Sequence, residues 1–186
     1  MFLCISSNYK DWNLNKELLL LGSWCKNNKN NLSKLNYKLL PYHWEDAFKF
    51  DKDLKYLFQL YKDIIPEISI ILNEKNNKNF SSKYWELLIG PWLWQFTQIL
   101  FDRYSSITQA VERFDNLETW ITDTIYSPRT FQEFDSLVQN DDYNFIICSK
   151  IITNLNLTIN ISNRVNIKYL KEENIKSDND IIIKNY

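Results

Sequence analysis

The chain has 186 residues, of which 22 are basic, 23 acidic and 16% aromatic. Such a length fits one domain, or one domain and a tail, and can bury a substantial core without disulfides or metals. The balanced charge disfavours nucleic acid as a partner, because proteins that bind it need a basic surface.

Two short apolar runs, residues 2–5 and 18–21, open the sequence. Both have the length of strands and are too short for helices. If residues 18–21 form a buried strand, residues 22–25 are the loop at its carboxyl end, where open α/β sheets bind their ligands. That loop is therefore a candidate site.

Residues 27–36 are rich in Asn and Lys and predict a surface loop, which leads into a structured turn over residues 39–46. From about Phe50 the pattern becomes that of a strong amphipathic helix. Its apolar residues recur every three or four positions: Leu54, Leu57, Phe58, Tyr61, Ile64, Ile65, Ile68, Ile71 and Leu72. Pro66 removes a backbone donor inside this helix, so we expect a kink there.

Residues 87–101 carry no charge, which indicates a core helix or a membrane helix. A membrane-spanning helix needs about 20 predominantly apolar residues. This run is shorter, is interrupted by Gly90-Pro91, and contains Gln95, Thr97 and Gln98. We therefore predict a central helix, almost wholly buried over residues 84–104 and divided at Gly90-Pro91. A membrane-associated protein using residues 87–101 stays an alternative.

The pattern between residues 120 and 152 predicts further helices. Residues 120–125 fit either a strand or a loop. Ser127-Pro128 supplies an N-cap and a first-turn proline, which predicts a helix over residues 128–139. Residues 143–152 are apolar, and the acidic start before them favours a helix.

The sequence is predicted to divide into two parts at about residue 153. Residues 1–153 are predicted to form an α/β, Rossmann-like lobe with a helix-rich layer around the buried Trp-rich helix. Residues 154–186 are rich in Asn, Ile and Lys, and they form either a tail, with a ragged pair of strands, or the start of an incomplete second lobe.

Cysteine usage indicates the compartment. Cys4, Cys25 and Cys148 are odd in number, far apart and without a Cys-x-x-Cys pair, so they fit neither a disulfide framework nor a zinc site. The first 11 residues do not resemble a secretory signal. We expect a reducing, cytoplasmic location, and no metal or cofactor is predicted.

Four stretches together resemble a known family. They are LLLGSWC at 19–25, LPYHWED at 40–46, YWELLIGPWL at 84–93 and ILFDRY at 99–104. Their order and spacing, over roughly residues 2–152, are similar to the amino-terminal region of transferases encoded in bacterial O-antigen and other surface-carbohydrate loci. Glu86 departs from this pattern, since relatives are expected to carry a basic side chain there.

The resemblance implies a cytoplasmic, glycosyltransferase-like enzyme with two Rossmann-type halves, acting in surface-polysaccharide assembly. Its partners would be a nucleotide-sugar donor and a glycan acceptor, with at most peripheral membrane contact. Relatives are several hundred residues longer, so the chain would be the acceptor-side part, and a complementing carboxyl-terminal lobe would hold the donor. The alternative is a non-catalytic fragment or partner-binding module from a truncated or split gene.

His43 is the only histidine in the chain. It could act as a general base for an acceptor hydroxyl, because histidine is the residue type best suited to proton transfer near neutral pH and a neighbouring carboxylate could orient it. The catalytic residues predicted on this basis are His43 and Asp46. The alternatives are a loop histidine packed between aromatic rings, and carboxylates Glu45-Asp46 that cap a helix.

Substrate-binding roles are predicted for five residues: Trp24, Tyr42, Trp44, Glu45 and Arg103. An indole face such as that of Trp24 can stack on a pyranose ring, although core packing would equally explain it. Arg103 could face a phosphate, or instead form a buried ion pair with Asp102. A Gly-rich phosphate loop cannot be built from two glycines.

Overall fold

The computed structural model describes residues 1–27, 32–155 and 157–167. Within these residues, the strands are β1 Phe2–Cys4, β2 Leu18–Leu20, β3 Tyr37–Leu39, β4 Leu117–Ile121 and β5 Ile159–Arg164. The α-helices there are α1 Ala47–Asn76, α2 Ser82–Arg113, α3 Phe131–Leu137 and α4 Asp141–Asn154. The strands form one parallel sheet in the order β3-β2-β1-β4-β5. The predicted α/β, Rossmann-like fold is confirmed.

Strand β1 is the middle of the sheet. Phe2 pairs with Leu18 of β2 on one side and with Glu118 of β4 on the other. The chain first moves outward from β1 to β3, and then crosses back through α1 and α2 to β4. The order of strands thus reverses between β1 and β4, which is the position where such sheets commonly bind ligands.

The two faces of the sheet have different covers. Successive strand residues point to opposite faces, so Leu3 and Leu19 join a core cluster with residues of α2, α3 and α4. Phe2 and Leu18 join a smaller cluster with Trp12. Long helices therefore cover one face, and short 3₁₀ segments such as Tyr9–Asp11 cover the other.

Helix α1 begins earlier than the predicted start at Phe50. Asp46 is its N-cap and accepts hydrogen bonds from the backbone N–H groups of Phe48 and Lys49. The helix continues through Pro66 as one element and ends at Asn76, and the C-cap Asn77 that follows has a left-handed φ of 51°. The carboxylate before the helix, and not its apolar periodicity, fixes where it begins.

Helix α2 is one element of 32 residues, and the predicted division at Gly90-Pro91 is wrong. A Cβ at Gly90 would lie 2.6 Å from the Tyr61 hydroxyl of α1. Gly90 is therefore a site of close helix contact, where a side chain would collide with α1. Pro91 lies at an exposed position of the continuous helix.

The prediction that residues 84–104 are almost wholly buried is also wrong. Leu87 is 72% exposed and Leu88 is 59% exposed. Trp85 and Gly90 face α1, whereas the α2 residues that pack against the core of the sheet begin at Trp92. The first turns of α2 thus have a neighbour on the α1 side, and their opposite side meets solvent.

The elements after α2 follow the predicted order with changed limits. Residues 120–125, which fit either a strand or a loop, contain the end of β4 at Ile121, and residues 122–125 are outside any helix or strand. Helix α3 begins later than expected because Thr130, and not Ser127, accepts a bond from the backbone N–H of Glu133. Helix α4 confirms the helix predicted over residues 143–152.

Strands β3 and β5 lie at the two edges of the sheet. Sequence analysis missed β3, a three-residue strand with Lys38 at its centre and partly exposed side chains. Strand β5 pairs with β4 and falls in the segment predicted as a tail. The rest of that prediction, from residue 168 onward, lies outside the described residues. The domain boundary at residue 153 stays a prediction. Across the described ranges no helix has both the length and the apolarity to cross a bilayer.

Candidate functional site

A cleft of about 480 Å³ lies between the segment that follows β3 and the second half of α2. Its lining residues are Pro41, Tyr42, His43, Glu45, Asp46, Lys49, Tyr104, Ser105, Thr108, Gln109, Glu112 and Arg113. Hydroxyl, carboxylate, amide and cationic groups make up most of this list. The cleft is at the carboxyl end of a parallel strand, the edge at which α/β sheets bind ligands.

Backbone contacts place His43 in the cleft. The N–H of Leu40 donates to the carbonyl of Leu20, which ties the chain to the sheet directly after β3. The N–H of Glu45 donates to the carbonyl of Tyr42 and closes a turn around His43. The rings of Tyr42 and Trp44 lie 5.0 and 4.7 Å from the imidazole, so the histidine is packed between aromatic rings and is 4% exposed.

The imidazole pairs with a carboxylate of α2. His43 Nε2 lies 3.1 Å from Asp102 Oδ1, and the Tyr42 hydroxyl also bonds to Asp102. Burial opposes ionisation of Asp102, but the hydrogen bond from His43, the nearby Arg103 guanidinium and the Tyr42 hydroxyl outweigh it, so the pKa of Asp102 lies below its usual value. Burial, with the Asp102 charge next, raises the pKa of Tyr42. Asp102 is therefore an ionised acceptor.

Arg103 holds the other side of this carboxylate. Its Nη1 donates to Asp102 Oδ2 at 2.6 Å, while Nε and Nη2 donate to Asn144 Oδ1 of α4 at 3.1 and 2.8 Å. The Asn144 amide donates in turn to the carbonyls of Val138 and Asn140. The guanidinium is thus engaged between α2 and α4, and Arg103 does not line the cleft.

Two of the cleft-lining residues each carry a buried polar atom that makes no hydrogen bond within the described part of the chain. Among the described residues, His43 Nδ1 and Thr108 Oγ1 are buried without a hydrogen-bond partner. Because ionised Asp102 can only accept, Nε2 of neutral His43 carries the proton and Nδ1 presents a lone pair. The Nδ1 lone pair is therefore buried without a hydrogen-bond donor among the described residues.

The rim of the cleft carries charges of both signs. Lys49 pairs with Asp53, one turn along α1. Gln109, with its amide oriented to suit its neighbours, donates to the carbonyl of Pro41 at 3.0 Å and accepts from Arg113 at 2.9 Å. Gln109 therefore ties the segment after β3 to α2, and it holds Arg113 at the mouth of the cleft.

The predicted site residues fall into two groups. Tyr42, His43, Glu45 and Asp46 line the cleft. Trp24, Trp44 and Arg103 do not. Trp44 donates from Nε1 to Asp53 and stacks on Phe101, and Trp24 packs against both core clusters beside Gly22.

Sequence reasoning missed the cleft residues of α2. It gave Asp102 a structural ion pair with Arg103, which forms, but it did not connect Asp102 with His43. Ser105, Thr108, Gln109 and Glu112 recur at helical spacing on one side of α2, and this polar stripe was a signal that could have found them.

Over the described ranges, no group of three or more His, Cys, Asp or Glu side chains is placed to hold an ion.

A family model described as LIC12162 family transferase matches residues 1–185. No curated protein and no solved structure matches the chain.

Proposed function

The chain belongs to the LIC12162 family of transferases, and from that premise we propose that it is the acceptor side of a glycosyltransferase-like enzyme of surface-polysaccharide and O-antigen assembly. The observation that carries the proposal is His43, a residue of the polar cleft whose Nε2 is held by Asp102 and whose buried Nδ1 has no hydrogen-bond partner in the described ranges. A general base needs these two properties, a fixed orientation and a free lone pair.

The proposed step is a proton transfer coupled to glycosyl transfer. An acceptor hydroxyl gives its proton to His43 Nδ1 while its oxygen forms a bond to the anomeric carbon of the donor. The bond between that carbon and the donor's phosphate oxygen breaks, and the nucleoside diphosphate leaves with the electron pair. Asp102 stays ionised and stabilises the imidazolium that results.

The chemistry of the cleft supports a glycan acceptor. Tyr104, Ser105 and Thr108 provide hydroxyl groups, and the aromatic rings of Tyr42 and Tyr104 can cover an apolar sugar face. Oδ1 of Asp46 accepts the two backbone hydrogen bonds that cap α1. We propose that Oδ2 of the same carboxylate accepts a hydrogen bond from a hydroxyl group of the acceptor glycan. Trp44 and Arg103 act on the site by holding His43 and Asp102 in place.

The donor is assigned to a complementing carboxyl-terminal lobe. The N–H of Ser7, directly beyond β1, donates to both carboxylate oxygens of Asp141 at 2.8 and 2.9 Å. In nucleotide-binding sheets, backbone N–H groups at this position face phosphate. Here a carboxylate of the chain itself takes that contact, and two glycines cannot form a phosphate loop. The buried, free cysteines support a reducing, cytoplasmic location.

The test uses the complete product of the locus and measures transfer from nucleotide-sugar donors. His43→Ala should lower kcat by at least about 100-fold, the usual contribution of a general base. Asp51→Asn, an exposed change on α1, is the matched control and should transfer at the wild-type rate. Unchanged transfer by a folded His43→Ala protein would remove the assignment.

Exposed apolar side chains favour a second candidate function, the partner-binding module. Ile70 of α1 and Leu87 and Leu88 of α2 are 55%, 72% and 59% exposed. We assign the complementing lobe as their partner. If this function is the correct one, Leu87→Glu abolishes co-purification of the two lobes, whereas His43→Ala does not. Neither the wild-type pair of lobes nor the pair that carries His43→Ala then transfers sugar.

A further inference from the structure

The buried hydroxyl oxygen of Thr108 is used differently from the hydroxyl groups of three buried helix residues, Thr97, Ser69 and Ser149. Thr97, also on α2, donates to the carbonyl of Leu93, four residues earlier, at 2.6 Å. Ser69 of α1 and Ser149 of α4 make the same bond, each at 2.7 Å. Within the described part of the chain, Thr108 Oγ1 makes no such bond although it is shielded from solvent. Its hydroxyl is not used by its own helix.

The unpaired atoms of Thr108 and His43 belong to residues that line one cleft. Buried polar groups without partners are rare in folded proteins and costly. The two atoms are also chemically complementary to hydroxyl groups. His43 Nδ1 accepts, and a threonine hydroxyl can both donate and accept.

We infer that Thr108 is a hydroxyl-binding, specificity-determining residue of the acceptor site, so that the acceptor is a pyranoside with two hydroxyls that engage His43 and Thr108 together. This inference rests on the proposed function and names its substrate class. A site that bonds a substrate hydroxyl strongly disfavours the analogue that lacks it. Thr108 therefore selects against acceptors deoxygenated at the second hydroxyl.

The sole histidine makes a binding experiment possible with the full chain. Its two carbon-bound imidazole protons, Hδ2 and Hε1, give one pair of NMR signals for the cleft, free of overlap from other histidines. The probes are the methyl glycosides of glucose, galactose and mannose, together with the monodeoxy analogues of each. At least one parent glycoside should shift the His43 signal in a saturable way.

Thr108→Val replaces the hydroxyl with a methyl group of similar size. It should weaken binding of that glycoside by about 3- to 10-fold, the range of one hydrogen bond. The analogue that lacks the second hydroxyl should bind Thr108→Val and wild type equally. Thr97→Val is the control on the same helix, and its affinity should match that of wild type.

The outcomes separate the inference from the proposed function. Equal affinity of wild type and Thr108→Val for every glycoside that shifts His43 would overturn the role of Thr108 and leave His43 standing. No shift of the His43 signal with any glycoside would overturn both. If Thr108→Val does not fold, Thr108→Ala takes its place, and Thr108→Ser, which keeps the hydroxyl, should bind like wild type.

Discussion

Asp102 and His43 meet across 59 positions of the sequence, with 3.1 Å between Oδ1 and Nε2. The contact joins the turn after β3 to the middle of α2, and Arg103 connects it further to α4. The orientation of the imidazole therefore depends on how α2 lies against the sheet. Any change that displaces α2 should disturb the candidate base before it disturbs the strands.

Replacing the carboxylate of Asp102 tests this dependence. Asp102→Asn keeps the shape but can turn an amide N–H towards His43, which would move the proton from Nε2 to Nδ1 and block the base. Transfer by the complete locus product should fall by about 100-fold or more. Steady-state kinetics measure the loss, and a native circular dichroism spectrum must accompany it. Wild-type turnover by Asp102→Asn would contradict the tautomer.

The lowered pKa of Asp102 predicts a stability change in acid. Its usual value is 3.8, and the folded value lies below that. The pair therefore contributes stability above the unfolded pKa and loses it as pH falls through the folded pKa. In urea titrations, the difference in unfolding free energy between wild type and Asp102→Asn should stay constant well above pH 3.8 and shrink as pH falls below it. A constant difference would show that the pair is not coupled to folding.

Asp141 should show the opposite dependence. Burial is the largest influence and raises the pKa of Asp141. The hydrogen bond from Ser7 lowers it and the charge of Asp142 raises it, and the net shift from 3.8 is upward. Stability from this group is full below the unfolded pKa and is lost as pH rises through the folded pKa. Wild type should therefore lose stability relative to Asp141→Asn as pH rises above 3.8 and through the folded pKa. Urea titrations at each pH, with Asp123→Asn as an exposed control, check the sign.

The contact between Gly90 and Tyr61 predicts a double-mutant effect. Alanine in a helix is favoured over glycine by about 1 kcal/mol, but a Cβ at Gly90 would lie 2.6 Å from the Tyr61 hydroxyl. Gly90→Ala should therefore bring no gain in wild type and should stabilise the Tyr61→Phe protein by about 0.5–1 kcal/mol. Thermal or urea unfolding of the four proteins gives the coupling. Equal effects in both backgrounds would show that the hydroxyl does not limit the site.

Exposure of the first turns of α2 predicts unequal tolerance to charge. Leu87→Glu should change the unfolding free energy by less than about 0.5 kcal/mol, because surface substitutions usually stay within that range. Leu93→Glu, six residues later on the same helix and 4% exposed, should destabilise by more than about 3 kcal/mol. Unfolding of the Leu87 variant at the temperature that unfolds the Leu93 variant would mean that Leu87 is covered in solution.

The strands β1 and β2 and the helix α4 could be predicted because their apolar runs have the length and the neighbours of buried elements. The burial of α2 could not, since an apolar segment has the same composition whether or not a second layer covers it. Gly90 was misread for a related reason. Glycine next to proline suggests a break, whereas the close approach of Tyr61 explains the glycine without one.

The candidate site was only half predictable. His43 and its neighbours are consecutive, so the segment was visible as a motif. Asp102, which pairs with His43, and the cleft residue Thr108 lie on a helix that packs against α1 and α4. The helical spacing of Ser105, Thr108, Gln109 and Glu112 shows that a polar stripe exists, but the packing of the helix decides that this stripe faces the cleft.

The position of β1 at the centre of the sheet also affects how the chain is made. Thr119 Oγ1 of β4 donates to the carbonyl of Leu3 across 116 positions. A ribosome adds about 5–20 residues per second, so the two strands are synthesised about 6 to 23 s apart. During that interval one edge of β1 has no partner from its own chain. Strand β1 is thus exposed to misassociation until synthesis has passed the whole α1–α2 hairpin.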